Sequence, residues 1–328
     1  MAGNHTGVIE VSTGSSLIVA NSYFKYNAAG NKIGTISITE SSTADINNCS
    51  FMNNMALNEI GGILVAVNST LTVFYSEFRN NSAMENIGVI SIFNHSSFVT
   101  DNLTFLNNTA GSRSAVIQIA MNSILAIKNS EFIDNNGNLI GVILMTKNCK
   151  ASVINSNFLN NKVKRRASGI EIQDNSTLTI NGSKFINSHS SLIAGAIFSR
   201  KYCIITMHNS IFINNHAYFG GAILIQEYSK GFVKNCVFVN NTSGFQTGGI
   251  KVSANSTLTV KNSKFINNRA VKSAGAVMIV YYSTVLAINC SFVNNTAKHQ
   301  IGGIQVDTNS ALTVSNSDFV NNHAGHET

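Results

Sequence analysis

Short alternations of apolar and polar residues recur along the whole chain. Gly248-Gly249-Ile250-Lys251-Val252, Ser256-Thr257-Leu258-Thr259-Val260 and Ser263-Lys264-Phe265 each alternate with a period of two, the signature of a strand with one face turned inward. The alternations repeat in phase. Aligning on the Phe that ends each group gives Phe24, Phe51, Phe78, Phe105, Phe132, Phe158, Phe185, Phe212, Phe238, Phe265, Phe292 and Phe319, spaced by 27 residues with two intervals of 26. Fifteen residues before the Phe the column is always aliphatic, from Ile9 and Ile36 to Val277 and Ile304. No segment is long enough for a helix, and the absence of Pro leaves every backbone N–H free to join a ladder. The pattern predicts an all-β fold: a single-stranded right-handed parallel β-helix, or β-solenoid, of twelve coils of 26–27 residues with three short strands per coil. One domain spanning residues 1–328 follows.

Position within the repeat assigns each residue type a place. The Ile column, the aliphatic column of Val11, Ile38, Val65, Ile92 and Ile119, the column of Leu17, Leu71, Leu125, Leu178, Leu258 and Leu312, and the Phe ladder are expected to fill the interior. A Gly column seventeen before the Phe, from Gly34 to Gly302, must be small. The five Cys replace Ser in small inward slots and read as buried free thiols: Cys149 and Cys203 nine before the Phe, Cys49, Cys236 and Cys290 two before it. Asn stands three after and three before the Phe in most coils. Both columns are expected at corners, where Asn tolerates a left-handed backbone and stacked amides bond along the axis. The residue after each Phe is nearly always aliphatic; it either turns inward at a corner or forms an outward apolar stripe.

Composition narrows the function. Of 328 residues 47 are Asn, only 11% are charged, and Trp is absent. The Asn excess is explained by the corner columns without a ligand. A net charge of +7 is modest for this length and gives no reason to expect nucleic acid, and no run approaches the ~20 apolar residues of a membrane-spanning helix.

The pairing of Gly220-Gly221-Ala222-Ile223, with variants Ala194-Gly195-Ala196-Ile197 and Ala274-Gly275-Ala276-Val277, and of Phe-x-x-Asn in every coil but that of Phe185 and Ser188, resembles the repeats of the chlamydial polymorphic membrane proteins. That resemblance covers the whole chain. It implies the β-helical passenger region of an autotransported adhesin, extracellular or at the cell surface, and outer membrane-associated in a bacterium. The implied partners are a host or cell-surface protein or glycan. Because neither end carries an atypical capping coil, the chain is expected to be a segment of a longer protein or a protomer that stacks head to tail on itself.

Chemistry is sparse. A carbohydrate-active β-helix enzyme, a lyase or hydrolase, is the competing reading, but it needs clustered carboxylates, and the 15 acids include no adjacent Asp pair. No catalytic residue, metal ligand set or cofactor site is assigned. His189 and His216 share a column in neighbouring coils with no evident third ligand. Lys162-Val163-Lys164-Arg165-Arg166 is the densest charge, and as a loop it offers Lys162, Lys164, Arg165 and Arg166 for polyanion contact. Fourteen Asn-x-Ser/Thr acceptors occur, among them Asn68, Asn107, Asn175, Asn240, Asn255 and Asn294, which would carry glycans if the source is eukaryotic. Thr-x-Thr pairs face outward on the second strand, interrupted by Lys150, Lys230 and Phe232.

Overall fold

A computed structural model describes residues 7–30, 33–58, 60–111 and 116–325. Every regular element among them is a strand, and the chain divides into two compact units, Met1–Lys164 and Arg165–Thr328. Each unit is built of four parallel sheets of six strands, in which a strand pairs with the equivalent strand one coil later. In the second unit one coil runs Ile250–Val252, Thr257–Lys261, Lys264–Ile266 and Arg269–Ala270.

Four strands per coil is one more than the alternation predicts. The extra strand has only two residues, as in Ala28–Ala29 and Met55–Ala56, too few to show a period, yet its second residue points inward and is buried. The register keeps like on like: Ile9 pairs with Ile36, Phe24 with Phe51, and Val260 with Ala287 and Val233. Phe rings stack face to face at 4.6–5.0 Å within each unit, so the rings from Phe51 to Phe292 are buried, at about 25 cal/mol per Å², while Phe319 in the last coil stays half exposed. Small residues are forced where backbones meet; a Cβ on Gly221 would collide with the Gly248 carbonyl of the next coil.

The two Asn columns part company. Three before the Phe, Asn48 has φ 51° and an exposed side chain that donates to Asn21, as a corner residue should. Three after the Phe, Asn also stands at a corner, in the two-residue link between the third and fourth strands, but its side chain turns inward. Asn81 is fully buried; its Nδ2 donates to Asn108 Oδ1 at 3.1 Å and to the Phe51 carbonyl at 2.9 Å, while the Asn108 oxygen also accepts from the Asn81 backbone N–H. The left-handed residue is the one just before it, Asn80 at φ 54°. An interior amide with every donor used stabilises the coil spacing, whereas an unpaired one would cost about 1–3 kcal/mol.

Away from its first and last strands, the first sheet is largely buried on both faces. Alternation predicts that Ser37, Glu171, Phe198 and Lys251 face water, but all four are covered, because the segment entering each coil folds back over the sheet. Ala167, Ala194, Phe198 and Leu224 form one such outer cluster, and Ile33, Ile60 and Ile87 another.

Candidate functional site

In the first unit a cleft of about 520 Å³ opens on the outer face of the Phe-bearing sheet. It arises from one small residue between large ones. Ser50 lies in register with Tyr23 on one side and Glu77 on the other, so the surface drops at the serine and rises at its neighbours. Tyr75 closes the cleft from the adjacent corner, where ten other coils have Asn and one has Gly. Its φ is 50°, a left-handed conformation that a bulky residue adopts only at a cost. Tyr23 and Tyr75 are 72% and 64% exposed.

The floor is polar and ordered. Ser50 Oγ donates to Glu77 Oε1 at 2.8 Å, Asn48 Nδ2 donates to Asn21 Oδ1 at 2.7 Å, and Arg79 stands 3.8 Å from the other Glu77 oxygen. Lys25 Nζ lies 4.3 Å from the centroid of the Tyr23 ring. Two tyrosine faces above an array of amides, a hydroxyl and a carboxylate can stack a sugar ring and bond its hydroxyls. Glu77 is the one carboxylate in the lining. The signal for this site in the sequence is a departure from a column, Tyr where Asn is the rule.

The basic run is not a free loop. Lys162–Val163 is the fourth strand of its coil, with Val163 turned into the core. Lys162, Lys164 and Arg165 are exposed, but Arg166 is half-buried and gives its guanidinium to Glu171 at 2.8 Å, which removes it from any polyanion contact. Glu171 is wholly buried, with Arg200 3.7 Å away. Desolvation raises its pKa to about 7 against the opposing pull of Arg166 and Arg200.

Asn68, Asn107, Asn175, Asn240, Asn255 and Asn294 are all exposed and all left-handed, with φ from 52° to 58°. They stand at turn tips, open to modifying enzymes. His189 and His216 stack with ring centroids 5.0 Å apart, which sets their faces rather than their nitrogen lone pairs against each other, and His216 Nδ1 lies 2.8 Å from Thr242 Oγ1. Desolvation, with a smaller contribution from His189, lowers the His216 pKa. No group of three or more His, Cys, Asp or Glu among the described residues is placed to hold a metal. The five cysteines are free and buried as the columns predict, each within reach of a backbone carbonyl, such as Thr146 for Cys149 and Arg200 for Cys203.

The apolar column after each Phe points outward. Leu106, Ile133, Leu159, Ile186, Ile213 and Val239 are half-buried beside the fully buried Phe, so the stripe is a surface feature and no corner turns it inward.

A family model described as a right handed beta helix region matches residues 141–322. No curated protein and no solved structure gives a significant match. Among the described residues no helix is long and apolar enough to cross a membrane.

Proposed function

The chain belongs to the right-handed β-helix family, and from that premise we propose that it is a non-catalytic adhesive element of an extracellular or cell surface, displaying contact side chains at coil-spaced intervals. The observation that carries this reading is the set of exposed tyrosines held in left-handed turns. Tyr26, Tyr75, Tyr202, Tyr228, Tyr281 and Tyr282 have φ between 50° and 63°, at positions where other coils place Asn, Gly or other residues. Each costs about 1 kcal/mol of local strain that Asn would avoid, and strain retained on an exposed side chain points to contact with something outside the molecule. The resemblance to chlamydial polymorphic membrane proteins supports a surface location. The cleft between Tyr23 and Tyr75 is the contact site best built for a glycan.

Right-handed β-helix regions also occur in carbohydrate-active enzymes, and Glu77 in a sugar-sized cleft gives that reading its one specific observation. One experiment separates the two. The purified chain is applied to a glycan array and to intact cells, alongside Tyr75→Asn, which restores the residue of the column and keeps the fold. Binding lost in Tyr75→Asn, with bound glycans recovered uncut, supports adhesion. Chain scission that disappears in Glu77→Gln makes the protein an enzyme, and binding unchanged in Tyr75→Asn removes the cleft from the account.

A further inference from the structure

Three adjacent coils of the second unit carry a basic face whose second and third strands hold no acidic residue. Their second and third strands are Ile204–His208 and Ile211–Ile213, Lys230–Lys234 and Val237–Val239, then Thr257–Lys261 and Lys264–Ile266. These segments hold Lys230, Lys234, Lys261 and Lys264, all exposed, and no Asp or Glu. None of the four lysines enters an ion pair among the described residues, where Lys201 with Asp174 is the nearest pair in sequence.

The arrangement is unfavourable by itself. Lys234 and Lys261 are direct neighbours in register on parallel strands, so their stems leave the sheet about 4.8 Å apart, and like charges directly opposite one another destabilise a sheet. On the same strand Lys230, Phe232 and Lys234 alternate outward, putting an exposed aromatic ring between two ammonium groups in steps of about 6.6 Å. Thr206 and Thr259 flank Phe232 in register, so the ring stands clear of large neighbours. Thr is the commonest residue elsewhere in the columns of Lys230 and Phe232, which makes that lysine and the ring departures from the repeat rather than products of it.

We propose that this face binds a sulfated polysaccharide lying across the three coils, with sulfates on Lys234 and Lys261, the sugar backbone over Phe232, and further anionic groups on Lys230 and Lys264. A sulfated chain supplies what the face lacks: closely spaced anions to relieve the Lys234–Lys261 repulsion, and an apolar sugar face for a single ring. Single-stranded nucleic acid fits less well, because it stacks successive bases on several aromatics and this face has one. The inference deepens the adhesive reading by naming a ligand class, and it lies on a different unit from the Tyr23–Tyr75 cleft.

The test measures heparin binding to the full chain by calorimetry across a salt series, with desulfated heparin, polygalacturonate and single-stranded DNA as comparison probes. The variant Lys230→Thr/Lys234→Asn/Lys261→Asn uses residues found in the same columns of other coils, and Lys162→Asn/Lys164→Asn/Arg165→Asn serves as a control of equal charge. Expected are heparin binding at physiological salt, at least tenfold loss in the first variant with a salt slope shallower by about one per lysine removed, and no more than twofold loss in the control. Phe232→Thr is expected to weaken heparin binding several-fold without changing the salt slope. No heparin binding by the parent chain, equal binding of DNA, or equal loss in both charge variants would overturn the proposal. Absence of heparin binding in the parent alongside intact, Tyr75-dependent glycan or cell binding overturns this inference alone and leaves the adhesive reading standing.

Discussion

Arg166 Nη1 and Glu171 Oε1 are 2.8 Å apart, and the carboxylate has no solvent exposure. The pair forms because the segment entering its coil folds back over the first sheet, burying a side chain that strand alternation would have left in water. The other carboxylate oxygen has no hydrogen-bond partner, so the site relies on charge rather than on a complete set of bonds.

Replacing Arg166 with Met is therefore expected to destabilise the fold by about 3 kcal/mol at pH 8, where Glu171 is ionised. The loss shrinks at pH 5, where the carboxyl is protonated. The sign follows from the raised pKa: between the ordinary value of 4.5 and about 7 the folded state holds more protons than the unfolded state, so stability falls as pH rises through that window. Glu171→Gln flattens this part of the profile. Urea midpoints measured from pH 4 to pH 8.5 check both statements, and a Glu171→Gln profile as steep as the parent's would refute the second.

The interior amide ladder makes a prediction of opposite sign for two positions. Asn241→Ala takes away the oxygen that accepts from the Asn215 backbone N–H and Nδ2 and the amide that donates to the Phe212 carbonyl, at a cost of about 2–3 kcal/mol. Ser188 stands in the same column, with a buried hydroxyl that finds no partner although its backbone N–H reaches Asn215 Oδ1 at 3.1 Å. Ser188→Asn adds a donor facing the same oxygen and is expected to raise the melting temperature by a few degrees. Thermal unfolding followed by circular dichroism decides both.

The turn tyrosines should be dispensable for folding. Tyr202→Asn, Tyr228→Asn and Tyr282→Asn each exchange a strained aromatic for the residue commonest in that column, with an expected gain of about 0.5–1 kcal/mol. The Tyr202 and Tyr228 rings stack at 5.1 Å, so the double variant is expected to gain more than the sum of the single ones. Chemical denaturation of the single and double variants provides the comparison.

The thiols should be silent in the native protein. Burial pushes Cys203 up to about 12 and Cys236 to about 11, and raises Cys149 and Cys290 as well, so these four hold almost no thiolate at pH 8. A chromogenic thiol reagent at pH 8 is expected to label fewer than one Cys per chain before unfolding and all five in denaturant. Rapid native labelling of Cys203 would show that its slot opens.

Properties that repeat in every coil are legible in the sequence by itself. The Phe ladder, the Ile column and the Cys slots can be placed from spacing because a solenoid sets each residue against its own copy one coil away, and a column needs no knowledge of distant contacts. The fourth strand stays hidden because two residues cannot display a period. The burial of Glu171 and Lys251, the interior place of Asn81 and the outward face of the aliphatic stripe depend on where the chain turns and what folds back over it, which alternation does not encode. The cleft at Tyr23 and Tyr75 and the basic face at Lys234 and Lys261 show in the sequence only as exceptions within columns. Folding makes those exceptions into surface features, because stacking brings residues 27 positions apart to neighbouring strands and leaves whatever departs from the column standing on the surface.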